Sequence, residues 1–142
     1  MDKKALFFKC VSFTASVHQV THELTQNAKS DSITQVQYKI LEYITVSQPV
    51  TLSDISECLH ISMPNTSREL KKLSEKNLIE KIGDTEDRRK QYIRLSKEGE
   101  TMMNAAFASI ESRFLNRINN ASKEDLVDID RALDILQTKL FY

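Results

Sequence analysis

Glycine and proline are scarce in this 142-residue chain, at two of each, and tryptophan is absent. With so few turn-formers a many-turned all-β architecture is excluded, and a mostly helical chain is expected. Cysteine is equally sparse. Cys10 and Cys58 stand far apart and form no Cys-x-x-Cys pair, so neither a disulfide framework nor a thiolate zinc site is indicated. Long apolar runs are missing as well. Lys3 and Lys4 lead into Ala5-Leu6-Phe7-Phe8 as in a signal peptide, but Lys9 ends the run after four residues, too soon for a secretory core. No stretch approaches a membrane span, so a cytoplasmic protein without a membrane partner is expected. There is also no paired nucleophile and base, no phosphate-binding Gly loop and no clustered metal-ligand pattern. His18 and His22 share a helix face beside Glu23, but no third ligand is placed to complete a site. An enzyme, a cofactor and a bound metal are therefore not expected.

Net charge is zero, from 20 basic and 20 acidic side chains, yet the charge is unevenly laid out. Residues 1–59 carry −1, residues 60–97 carry +4 and residues 98–142 carry −3. A cationic centre between acidic flanks is a localised electrostatic footprint of the kind that meets a polyanion.

Hydrophobic spacing gives the element order. Leu6, Cys10, Phe13, Val17, Val20 and Leu24 step by 4 and 3, a narrow helical stripe that ends at Asn27-Ala28-Lys29-Ser30. Thr34 with Gln37 forms a capping box for a second helix with Val36, Ile40, Leu41 and Ile44 inward. After Pro49, Thr51 or Ser53 caps a short third helix with Leu52, Ile55 and Leu59. His60-Ile61-Ser62 is a tight turn. Ser62 then caps a fourth helix, with Pro64 in its first turn and Thr66, Leu70 and Leu73 inward, ending at Asn77. Leu78–Ile82 and Gln91–Leu95 flank a polar loop as a β-hairpin. Ser96 caps a fifth helix, and Ser122 with Asp125 opens a sixth that carries Leu126, Ile129, Leu133, Leu136 and Leu140. Helix, tight turn, helix and hairpin over residues 52–95 is a winged helix-turn-helix. The expected fold is mostly α with a small β-hairpin wing: a winged helix-turn-helix DNA-binding lobe at 34–96, and a helical dimerisation region from 1–30 and 97–142, in a single domain of 1–142.

The fourth helix is the candidate for reading DNA. Besides its inward positions it offers Asn65, Ser67, Arg68, Lys71 and Lys72. Arg68 suits a guanine and Asn65 an adenine in the major groove, while Ser62 and the first amides suit a phosphate. A solvated helix face would look much the same, so the hairpin tip matters. There Asp87 precedes Arg88, Arg89 and Lys90. An arginine at the end of a narrow hairpin fits a minor groove, and Asp87 can hold the Arg89 guanidinium in one rotamer.

Residues 34–99 resemble the core of MarR-type transcriptional regulators. The likeness is carried by Thr34-Gln35-Val36-Gln37-Tyr38-Lys39-Ile40-Leu41, by Leu73-Ser74-Glu75-Lys76-Asn77-Leu78-Ile79, and above all by Asp87-Arg88-Arg89 leading into Ile93-Arg94-Leu95-Ser96-Lys97-Glu98-Gly99. Asn77 stands where that family usually has Gly, and Ser96 where it usually has Thr. The resemblance implies a homodimer that binds a pseudo-palindromic operator in double-stranded DNA, more often to repress than to activate. It places Pro64, Asn65 and Arg68 at DNA-reading positions and Arg89 at the minor groove. With their neighbours, Ser62, Thr66, Ser67, Lys71, Lys72, Asp87, Arg88 and Lys90 complete the candidate DNA-binding set. It also implies a small aromatic or phenolic effector, for which Phe13, Tyr38, Tyr43 and Phe107 are possible lining residues.

Leu6, Phe13 and Val17 of the first helix and Leu126, Ile129, Leu133, Leu136 and Leu140 of the sixth are the candidate dimerisation residues. A 3-4 seam on each suits packing of subunit against subunit. Two alternatives stay open. A winged helix can serve as a protein-binding module with no base reading, and some MarR-type regulators sense peroxide through a cysteine in the territory of Cys10. Since Cys10 lies on an apolar stripe, inert packing explains it as well.

Overall fold

A computed structural model describes residues 1–83, 86, 87 and 89–142. Among the described residues it contains α1 (Lys3–Thr25), α2 (Gln35–Ser47), α3 (Leu52–Leu59), α4 (Met63–Glu75), β1 (Ile79–Gly83), β2 (Gln91–Leu95), α5 (Lys97–Arg117) and α6 (Lys123–Lys139). The chain divides into two compact units, residues 1–110 and 111–142. No described helix is long and apolar enough to cross a membrane.

The helices begin where short polar side chains can satisfy their free amides. Thr34 and Gln37 cap α2 reciprocally, and Ser122 and Asp125 do the same for α6. At α3 it is Thr51 that caps, in a box with Asp54. Asp2 caps α1, its carboxylate accepting from the amides of Lys4 and Ala5. Three helix ends use left-handed backbone: Asn27 after α1 has φ 61°, His60 after α3 has φ 54°, and Asn77 after α4 has φ 60°.

The core of the first unit runs from Ile33 to Ala106. Ile40, Leu41 and Ile44 of α2, Ile55 of α3, Leu70 and Leu73 of α4, Ile79, Ile93 and Leu95 of the hairpin, and Met103 of α5 are all buried together. β1 and β2 pair antiparallel, with Ile79 opposite Leu95 and Ile82 opposite Tyr92. Val50 adds a bridge to the sheet: its amide donates to the Ile93 carbonyl at 3.0 Å and its carbonyl accepts from the Ile93 amide at 2.6 Å. The Leu95 amide is held by the Gln48 side-chain oxygen at 2.9 Å. These bonds fasten the wing to the end of α2 as well as to its own partner strand.

One inward position of α2 differs from the pattern. Val36 is 44% exposed, and Gln37 is buried in its place at 2%. The reason is polar satisfaction. The Gln37 oxygen accepts from the Thr34 amide at 3.1 Å and from Lys76 Nζ at 3.2 Å, and its NH2 donates to Glu69 Oε2 at 3.1 Å. A buried amide with all these partners is no burden to the fold, and it binds the start of α2 to α4.

α1 and α6 contribute no buried residue at all.

Candidate nucleic-acid interface

Ser62 starts α4 from an extended backbone, and its hydroxyl oxygen accepts from the Asn65 amide at 3.2 Å. Pro64 follows in the first turn, where its missing N–H costs nothing. Helical spacing then sorts the side chains. Thr66, Leu70 and Leu73 face the core, while Pro64, Asn65, Ser67, Arg68, Lys71 and Lys72 are exposed. Thr66, expected in the DNA-binding set, is instead fully buried, and its hydroxyl donates to the Ser62 carbonyl at 2.8 Å. It lies on the same stripe as Leu70 and Leu73, so it is a packing residue of α4 and does not reach a base.

The exposed face is cationic and partly ordered. Arg68 Nη2 donates to Asn65 Oδ1. Lys72 lies 3.5 Å from Glu69, whose other oxygen is taken by Gln37. Asn65, Arg68, Glu69 and Lys72 join Val36 and Ile61 around a cleft of about 330 Å³. The exposure of Val36 is thus part of the surface beside α4. Sequence reading missed it because periodicity alone gave it to the core.

The wing carries its cations beside the start of α3. Asp87 Oδ1 accepts from the Arg89 amide at 3.0 Å and from Arg89 Nε at 3.4 Å, so the carboxylate holds both backbone and guanidinium. Arg89 and Lys90 are exposed. With Gln91 they line a hollow of about 390 Å³ whose other wall is Thr51, Leu52 and Ser53. No sequence signal marks that neighbourhood, since the two walls lie far apart along the chain. At the base of the hairpin, Arg94 Nε donates to Glu80 Oε2 at 3.0 Å across the strands, in the register that pairs those residues. Arg88, expected in the DNA-binding set, lies outside the described residues.

Cys10 is half-buried and Cys58 exposed, both as free thiols. His18 and His22 are exposed on α1, and no group of three or more His, Cys, Asp and Glu able to hold a metal occurs among the described residues. His22 helps to line a polar hollow of about 540 Å³ with Thr25, Gln26, Asn27, Lys29, Asp31 and Gln35. Of the aromatic side chains considered for an effector, Tyr38 is buried in the core, Tyr43 and Phe107 pack against it, and Phe13 is exposed. The buried Tyr38 hydroxyl has no hydrogen-bond partner. Burial, with the Glu42 carboxylate adding to it, pushes its pKa up to about 12.

The sequence model of the MarR family matches residues 33–90. No curated protein matches significantly. Among solved structures the chain is similar to a MarR family protein from Bacillus stearothermophilus, at 19% identity and TM-score 0.76, covering 100% of this chain and 99% of that one. It is similar to S. aureus MepR bound to ethidium bromide, at 24% identity and TM-score 0.65, covering 90% and 96%. A MepR variant from S. aureus bound to an oligodeoxyribonucleotide matches at 23% identity and TM-score 0.59, covering 90% and 97%. These likenesses establish a shared winged-helix fold.

Proposed function

We propose that this chain, whose residues 33–90 match the sequence model of the MarR family, is a DNA-binding transcriptional regulator, a repressor that binds a pseudo-palindromic operator as a homodimer. The observation that carries this reading is α4. It is anchored on one side by Thr66, Leu70 and Leu73 and presents Asn65, Ser67, Arg68, Lys71 and Lys72 to solvent on the other. A helix so fixed can enter a major groove without losing order, and the adjoining hairpin offers Arg89 for a minor groove. Phosphate contacts from Ser62, Ser67, Lys71, Lys72 and Lys90 supply affinity. Arg68 and Arg89 supply selection. The oligodeoxyribonucleotide complex of MepR supports this, because that protein shares the fold.

The ethidium complex of MepR supports an aromatic effector in the same way. Such a ligand would act by favouring a dimer whose two recognition helices no longer match the operator spacing, a shift of population between two shapes.

A mobility-shift titration against duplex selected from a random pool, repeated over a range of salt, tests the reading. Binding should weaken steeply as salt rises, because each neutralised phosphate releases counterions. Arg68→Ala should cost about 1–3 kcal/mol and relax choice at one base pair in each half-site. Tight binding that ignores salt would contradict the mechanism. Failure to retain any duplex would favour a winged helix that binds protein.

A further inference from the structure

We infer that Asn65 is a positioning residue for Arg68 and does not read a base of its own, so that the two side chains act as one guanine-selecting unit. The inference rests on the DNA-binding proposal above and carries it to the level of single bases.

An asparagine reads adenine with both ends of its amide: Oδ1 accepts from the base amino group while the NH2 donates to the ring nitrogen. In this protein Oδ1 already accepts from Arg68 Nη2. Turning the amide over would not free it, since that would set an NH2 group against a guanidinium N–H, donor facing donor. The two residues sit three apart on the exposed face of α4, the spacing at which helical side chains meet. Asn65 is itself held from below, its amide being the one that Ser62 caps.

The guanidinium gains order without losing its charge. Arg68 is in no ion pair among the described residues, and the nearest acid along the helix, Glu69, is engaged by Gln37 and Lys72. Of five guanidinium N–H groups one goes to Asn65, and the rest suffice for a bidentate bond to guanine. A neutral acceptor thus restrains a long side chain of many rotamers before DNA arrives, and leaves its full positive charge for the groove. Arg89 is arranged differently, with a carboxylate, Asp87, as its restraint.

The test is a set of affinities for the selected operator and for each single base-pair change in one half-site, measured with the intact protein and with Asn65→Ala, Arg68→Ala, the double variant and Asn65→Asp. Asn65→Ala should lower guanine preference about 5-fold at the same base pair that Arg68→Ala affects, and Arg68→Ala should lower it at least as much. Adding Asn65→Ala to Arg68→Ala should change that preference no further. Asn65→Asp keeps an acceptor for the guanidinium, so the preference should survive while affinity falls alike for every sequence. The inference is overturned if Asn65→Ala relaxes choice at a second base pair, an adenine, leaves the Arg68 position intact and adds independently in the double variant. An intact protein that binds no duplex would instead overturn the regulator reading, and this inference with it.

Discussion

A β-carbon on Gly99 would lie 2.0 Å from the carbonyl oxygen of Leu78 and 3.0 Å from its carbonyl carbon. Both are backbone atoms and cannot swing aside. That same oxygen accepts from the Ser96 amide at 3.0 Å, and the Ser96 hydroxyl donates to the Asn77 carbonyl at 2.5 Å while accepting from the Gly99 amide at 3.0 Å. The start of α5 is therefore bonded to the junction between α4 and β1, at a distance only glycine permits. Gly99→Ala should lower stability by at least about 2 kcal/mol in urea unfolding, because the junction must move apart. An unchanged midpoint would refute this. Tyr38 makes a second prediction with a definite sign. Its pKa is raised from the ordinary phenol value of about 10 to about 12, first by burial and then by Glu42, so the fold prefers the neutral form. That contribution is complete below about pH 10 and is lost as pH rises from there through the folded value. Tyr38→Phe removes a buried hydroxyl that has no partner. It should raise stability by about 1 kcal/mol at neutral pH and flatten the alkaline decline. Denaturant titrations at neutral and alkaline pH would show both, and a loss of stability on substitution would count against the account.

At the level of elements, the turn between α3 and α4 sets the direction of α4. It contains His60 at φ 54°, a left-handed conformation that opposes a β-carbon. It is held there by its own amide, which donates to the Ser56 carbonyl, and by the neighbouring Ile61, whose carbonyl accepts from the Ser56 hydroxyl at 2.5 Å. His60→Gly should therefore stabilise the protein by roughly 0.5–1 kcal/mol, against which the extra freedom of glycine in the unfolded chain works in part. The thermal midpoint would report it, and a clear decrease would show that the imidazole makes a contact worth more than the strain. Asn77, at φ 60°, meets the same demand with a residue that tolerates it better. Its role was legible from sequence because Asn closes helices and because the family has Gly there. His60 was not, since histidine carries no such signal and only the path into α4 imposes the conformation.

At the scale of the whole molecule, α1 and α6 keep most of their apolar residues exposed. The core lies between Ile33 and Ala106, and neither helix buries a residue. Leu6, Phe13 and Val17 are exposed on α1, as are Leu126, Ile129, Leu133 and Leu140 on α6, with Leu136 half-buried. Apolar faces left open in this way suit an association surface, and the operator proposed above would call for a twofold protein. Light scattering at micromolar concentration should give a dimer. Leu133, 59% exposed, offers the clean test: Leu133→Asp should yield monomers with helical content intact, because no core residue is touched. A wild-type monomer at that concentration would remove the basis for the dimer.

Local chemistry settled much of this architecture in advance. The capping boxes at Thr34 and Ser122, the N-cap at Ser62, the 3-4 spacing of Leu70 and Leu73 and the alternation in the hairpin each depend on residues a few positions apart, and short-range physics leaves them few alternatives. The cationic centre and the Asp87–Arg89 contact were legible for the same reason. What needed the tertiary structure was every choice made between distant segments. Gln37 displaced Val36 from the interior because Glu69 and Lys76 were there to receive it. Gly99 was required by Leu78 across the α4–β1 junction. Periodicity can say that a residue lies on a face. Only packing decides which face is covered, because burial is a property of the neighbour as much as of the residue itself.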